Sequence, residues 1–157
     1  GTLISILFFL FIVINIEPWF MPQYFIPISG MLIGNSMTGI SLGAQGLITG
    51  VKDNKEMIEN ALMLGASPTK ATKEIQNRSF YNAVLPTINS MIGMGIVFLP
   101  GMMTGQILAG ATPLTAIKYQ IAIMMGILGS VTLTVYLMVK WGMKSFFNER
   151  AQINIKS

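Results

Sequence analysis

Asn35, Gln45, Asn89, Thr104 and Gln106 are amides and a hydroxyl set in stretches that are otherwise apolar. Such groups donate and accept hydrogen bonds without gaining or losing protons near neutral pH. They suit holding or passing a polar solute, not acid–base catalysis. Small residues recur beside them. Gly30, Gly34, Thr38, Ser41 and Gln45 follow one another at steps of four, four, three and four, which is one face of a helix. Asn82, Pro86, Asn89 and Gly93 make a second stripe, and Gly101, Gly105 and Ala109 a third. Two readings fit. The stripes are seams of close helix packing with amides bonding across them, or the polar residues line a path through an apolar bundle. A path must lie where helices meet, so the readings are compatible.

The missing residue types narrow the chemistry further. There is no His and no Cys, and Asp and Glu are absent from 18–52 and from 75–148. An enzyme would need acids, bases or metal ligands, and an ion-coupled transporter commonly holds a carboxylate within the membrane. The chain therefore reads as neither. Thirteen methionines remain. Met91 and Met94 are one turn apart, and Met102 and Met103 follow the Leu99-Pro100-Gly101 interruption. Thioethers suit soft ions such as Cu(I), although methionine more commonly fills irregular gaps in a bundle. No residue set is assigned to a metal.

These residues must be positioned by membrane helices. The 157 residues are 52% hydrophobic and only 10% charged, with a mean hydropathy of +0.63; a soluble domain carries about 25% charged residues. The net charge of +4 is spread beside apolar segments rather than gathered on a soluble face, so no nucleic-acid partner is expected. The pattern predicts an all-α, polytopic transmembrane bundle with spans over about 1–16, 24–48, 80–108 and 116–139. Pro100 and Gly101 divide the third. The 99–118 stretch is either a broken helix or an outer re-entrant segment. Only 16 residues precede Glu17 and no initiator Met is present, so the expectation is that N-terminal spans are missing.

Nine of the ten basic residues fall in 51–79 or in the tail after 139; Lys118 is the exception. The positive-inside rule places both segments in the cytoplasm. Trp19 and Tyr24 then mark the outer interface and Trp141 the inner one. Within 51–79, Asp53 precedes Glu56 by three, like a capping box. Met57, Ile58, Ala61 and Leu62 form an apolar stripe. Gly65 is a left-handed stop, Ser67 a cap and Pro68 a first-turn residue. The segment reads as two helices joined at Gly65-Ala66-Ser67, suited to docking a cytoplasmic partner or to lying on lipid.

Glu59, Ala61, Gly65, Leu85 and Pro86 resemble the EAA loop of ABC-transporter permeases, with Asn60 where a second small residue is usual. The runs EPWFMPQYFIPISGMLIGNSMTGISLG, LGASPTKA and LPGMMTGQILAGATPLTAIKYQ, with the basic tail, resemble the FetB family of iron-export ABC permeases, which includes plant relatives linked to aluminium tolerance. The resemblance implies a homodimeric, multi-pass permease of the inner or plasma membrane. It implies a separate ATPase, holding ATP and Mg, docked on 59–73 through Glu59, Ala61, Leu62, Gly65, Ala66, Ser67 and Pro68. This chain carries no G-x-x-x-x-G-K-[ST] motif and no cofactor is expected in it. The path candidates are Asn35, Gln45, Asn89, Pro100, Gly101, Met102, Met103, Thr104 and Gln106. Iron ordinarily favours oxygen or imidazole ligands, so it is the resemblance that implies iron or another metal ion. The alternatives are export of an organic solute such as a nucleotide sugar, or a membrane scaffold that recruits a partner.

The orientation is testable because the chain has no cysteine background. In intact cells an impermeant thiol reagent is expected to label Met21→Cys and to spare Lys70→Cys until the membrane is opened. The reverse pattern would reject the orientation.

Overall fold

The structure is a computed structural model that describes residues 22–94, 100–148 and 153, with side chains of the first helix from Ile26 onward. The expected span over 1–16, together with Glu17, Trp19, Leu99, Arg150, Lys156 and the side chain of Tyr24, lies outside the described residues. The described chain is helical. In order come α1 (Pro22–Asp53), α2 (Lys55–Met63), α3 (Pro68–Ala71), α4 (Lys73–Gly93), α5 (Gly101–Leu108) and α6 (Pro113–Lys144). No strand occurs among these residues; an isolated bridge joins Phe147 to Ile153.

The helix bounds follow from local chemistry. Thr112 precedes α6, and its Oγ1 accepts the Thr115 N–H at 3.3 Å, satisfying one of the donors that a helix start leaves open. Pro113 then occupies the first turn, where its missing N–H costs nothing. Among the described residues α6 alone is both long and apolar enough to cross a membrane. The equally long α1 is diluted by glycine, hydroxyls and amides, and α4 opens on charged residues. The stretch expected over 80–108 is carried by two helices, because Pro100 sits as the N-cap of α5 with extended backbone (φ −62°, ψ 137°). One expectation is corrected. Asp53 does not open the hairpin but closes α1, and Asn54 occupies the N-cap of α2 without a side-chain capping bond. Its Nδ2 instead donates to the Gly50 carbonyl at 2.8 Å, so the polar side chain serves the end of the preceding helix.

The chain divides into two compact units, one of residues 1–36 and 85–133, the other of 37–84 and 134–157. In the first, Ile28 and Leu32 of α1 and Ala116, Ile123, Ile127 and Val131 of α6 are buried. A step of four in α1, and steps of seven, four and four in α6, put them on one face of each helix. Within this core the hydroxyls of Ser36 and Ser130 bond each other at 3.0 Å. The second unit buries Leu47 and Val51 of α1, Ile58 of α2, Ile75, Ser79 and Ala83 of α4, and Val135, Val139 and Met143 of α6.

The close-packing glycines are not those of the stripes singled out in the sequence. A methyl group added at Gly30, Gly34, Gly101 or Gly105 would meet nothing within 4 Å. Those at Gly43, Gly46 and Gly50 would lie 2.5 Å from Met138 Cε, 3.0 Å from Ser79 Oγ and 2.6 Å from Ile75 Cγ2. These three glycines let α1 approach α4 and α6 in the second unit. Ile75 is β-branched and stiff at χ1, so Gly50→Ala forces a backbone or rotamer shift that costs about 1–3 kcal/mol. Gly30→Ala faces open space and gains helix propensity of up to about 1 kcal/mol. Thermal unfolding in detergent should show a lower midpoint for Gly50→Ala and an unchanged or higher one for Gly30→Ala. Equal midpoints would mean that α1 does not pack through Gly50.

Candidate functional site

The first unit holds three cavities that share walls. One of about 160 Å³ is lined by Asn35 and Met31 of α1, Thr87, Ser90 and Met94, Pro100 to Met102 at the start of α5, and Gln120, Met124 and Ile127 of α6. Four path candidates, Asn35, Pro100, Gly101 and Met102, are thus brought together. A second, of about 780 Å³, adds Gln106 and the small faces of Gly30, Gly105 and Ala109. A third, of about 480 Å³, takes in Met103 with Met91, Met94, Met124 and Met125.

The other candidates fall elsewhere. Thr104 is exposed and its hydroxyl donates to the Pro100 carbonyl at 3.2 Å, a bond that ties the first turn of α5 to its cap. Asn89 is exposed and lines none of these cavities. Gln45 is exposed and belongs to the second unit. The structure adds Thr87, Ser90 and Gln120, which the sequence reading passed over. Thr87 and Ser90 lie three apart on α4, each one position past a residue of the Asn82–Pro86–Asn89–Gly93 stripe, and the spacing of that stripe drew attention to the neighbouring face. Gln120 carried a usable signal: an uncharged amide in the apolar run that becomes α6.

Several donors on these walls are spent on fixed partners. Asn35 Nδ2 donates to its own helix at the Met31 carbonyl, 2.8 Å away, and Ser90 Oγ to the Pro86 carbonyl at 2.9 Å. Gln120 Nε2 donates to Met94 Sδ at 3.6 Å. The amide oxygens of Asn35 and Gln120 are acceptors, so the walls offer neutral oxygen and sulfur. Among the described residues no three His, Cys, Asp or Glu side chains come together. The arrangement can bind by dipoles and polarisable sulfur, and it holds no group for proton transfer.

In the second unit, α2 and α3 are in contact across a tight turn. Gly65 takes φ +87°. Its N–H bonds the Leu62 carbonyl at 3.0 Å, and the Ala66 N–H bonds that of Ala61 at 3.0 Å. This is the Schellman pattern, which requires a left-handed residue just past the helix. Ser67 is the N-cap of α3 by position, with no side-chain capping bond, and Pro68 follows in its first turn. Ile58 is buried and Ala61 and Leu62 are half-buried, whereas Met63 and Leu64 at the turn are 84% and 89% exposed. Glu59 pairs with Lys55 one turn earlier at 3.8 Å, both partly exposed. A polar groove of about 420 Å³ runs between the end of α1 and the start of α4, where Asp53, Glu74 and Arg78 balance one positive charge against two negative ones.

An all-helical chain of this hydropathy, with neutral dipoles in its apolar helices and charge set apart from them, is a helical membrane protein. Comparison with known proteins gives the family: the model for UPF0014, an uncharacterised protein family, matches residues 1–147, and the chain belongs to that family. It is 38% identical over 98% of its length to a UPF0014 membrane protein of Synechocystis, of which it covers 59%. It is 38% identical over 95% of its length to the Arabidopsis thaliana protein ALUMINUM SENSITIVE 3, covering 54%. It is 37% identical over 85% of its length to the Escherichia coli "Probable iron export permease protein FetB", covering 52%. The chain therefore spans just over half the length of the curated relatives it matches. No solved structure matches it.

The shared cavity wall predicts a proximity. Asn35→Cys and Met102→Cys line the same 160 Å³ space, so a short bifunctional thiol reagent should join them in one chain. Asn89→Cys with Met102→Cys should stay unlinked. Linking of the second pair and not the first would mean that α4 turns its other face to the cavity.

Proposed function

We propose that this chain is part of the permease subunit of an ABC transporter that exports iron or another metal ion, driven by a separate ATPase docked on 59–73. The observation that carries the proposal is the turn at Gly65. It exposes two large apolar side chains, Met63 and Leu64, at the tip of a two-helix hairpin in which Ile58 is fully buried and Met57 half exposed. An apolar tip of this kind is suited to a groove on a partner protein. The name of the Escherichia coli relative, an iron export permease, supports the transport role.

The hairpin is mechanically tied to α4. Thr72, fully buried, closes α3 by donating Oγ1 to the Pro68 carbonyl at 2.8 Å. It accepts from Gln76 Nε2 at 2.9 Å and, at its carbonyl, from the Gln76 N–H at 3.0 Å. On this reading a push on α2 and α3 tilts α4, which carries Thr87 and Ser90 of the cavity walls. With no carboxylate in 18–52 or 75–148 to bind a driving ion, ATP hydrolysis in the partner supplies the work. The ATPase and a second permease copy are the partners this reading requires, within a lipid bilayer that leaves the hairpin and C-terminus in the cytoplasm.

Gly65→Val places a β-branched side chain in a left-handed conformation, which costs about 1–2 kcal/mol for an ordinary L-residue and more for a branched one. That leaves the bundle folded but misdirects the tip. Glu59→Lys sets a second positive charge beside Lys55 and weakens docking chiefly at low salt. With the full-length permease and its ATPase, both variants should accumulate normally and lose substrate-stimulated ATP hydrolysis. Only the charge reversal should recover as salt rises. If both bind and stimulate the ATPase like the parent, the hairpin is not the coupling element. Hydrolysis that ignores the permease while the ATPase still co-purifies would favour a scaffold.

A further inference from the structure

The geometry points to the cavity among Met91, Met94, Met103 and Met124 as a thioether site for a soft monovalent cation, Cu(I) or Ag(I). As a cargo site it rests on the permease reading above; as a binding site it stands on its own residues. Met91 comes from α4, Met94 directly follows its last residue, Met103 is on α5 and Met124 on α6. The remaining wall is Pro100, Ile117, Gln120, Ile121 and Met125, with no charged side chain. Methionine usually fills the space around it. Here the side chains line a cavity of about 480 Å³ that is open on the side of the exposed Ile121 and Met125, against about 30 Å³ for one water.

The donor chemistry selects the ion. Thioethers are neutral and polarisable and prefer soft ions, while iron, magnesium and manganese prefer oxygen or nitrogen. Among the described residues no cluster of His, Cys, Asp or Glu offers that alternative. Charge points the same way. Stripping water from an ion in an apolar cavity costs free energy that rises with the square of its charge, and no carboxylate lines this cavity to offset a divalent ion. A monovalent ion held by neutral sulfur incurs the smaller penalty.

Two further features fit a path. Gln120 Nε2 donates to Met94 Sδ at 3.6 Å, which orients that sulfur while leaving a second lone pair. The methionines grade from open to closed: Met125 is 61% exposed at the rim and Met124 only 8% at the inner wall. Met94 and Met124 also line the 160 Å³ cavity, where Met31 and Met102 extend the run of sulfur.

The test titrates Ag(I) into the full-length permease in lipid nanodiscs in chloride-free buffer, with calorimetry for affinity and X-ray absorption for the ligand atoms. The expected result is one tightly bound Ag(I) per permease in a sulfur shell. Met91→Leu, Met94→Leu, Met103→Leu and Met124→Leu should each weaken it at least tenfold. Leucine nearly conserves the volume, so the unfolding midpoint should hold. Met63→Leu, on the exposed turn, should leave binding unchanged. If the four-fold leucine variant fails to fold, the single variants carry the test. Equal Ag(I) affinity in the leucine variants, or none in the parent, overturns the site. Sulfur-bound Ag(I) without ATP-driven export of any metal supports the site and defeats the permease reading. Undiminished iron export with no Ag(I) bound does the opposite.

Discussion

A backbone amide surrounded by apolar groups has to find its hydrogen-bond partner within the chain, because an unpaired one costs several kcal/mol in a lipid interior (roughly 2–7 by transfer scales). The described structure is organised by that demand. Two helices of 32 residues each keep their ladders through most of their length. Where the chain must leave a helix, the break is closed locally. The turns at Gly65 and Gly110 both use a positive φ and the same pair of returning bonds, Gly110 to Ile107 and Ala111 to Gln106 repeating the geometry at Gly65. Side-chain polar groups obey it too. Ser41, Thr72, Ser90 and Thr104 all donate to a carbonyl four residues back, and no buried side-chain polar atom among the described residues lacks a partner.

That economy shapes what the cavities of the first unit can do. Hydroxyls that bond their own helix are quiet, so the groups left to meet a solute are amide oxygens and thioether sulfurs. Neither carries charge, and neither changes protonation over the physiological range. Such walls would hold hard ions weakly and soft ones better, without dependence on a proton gradient. In the proposed mechanism the energy for transport enters from outside the apolar helices, through the hairpin of the second unit. Its exposed Met63 and Leu64 and its buried Thr72 junction serve opposite ends of that link, one toward a partner and the other toward α4.

The outer surfaces agree with a membrane setting. Leu133 and Tyr136 of α6 and Ile26, Ile33, Met37, Ile40 and Ile48 of α1 are exposed, and Ile117 and Ile121 stand at the open side of the methionine cavity. In water so many exposed apolar side chains on two helices would be a liability; against acyl chains or further helices they are the suitable surface. Toward the end of α6, Lys140 lies 5.7 Å from the Tyr136 ring and Trp141 is exposed, the aromatic and basic mixture found at a membrane boundary.

The sequence by itself determined the helical character, the family and the local turn chemistry. A left-handed glycine, a Ser-Pro start and a Thr-Pro start act over four residues, and their geometry is set by sterics that need no distant partner. Charge placement likewise needs only the linear pattern. Tertiary structure decided which small residues pack. Gly30 and Gly34 carried the clearer four-residue repeat, yet Gly43, Gly46 and Gly50 meet Met138, Ser79 and Ile75. It also decided that Asn35 joins Pro100 to Met102 while Asn89 and Gln45 do not, and it recruited Thr87, Ser90 and Gln120. Helical periodicity gives the faces of one helix. Which face another helix covers depends on crossing position and rotation, set by side chains far apart in sequence, as the Ser36–Ser130 bond within the first unit illustrates.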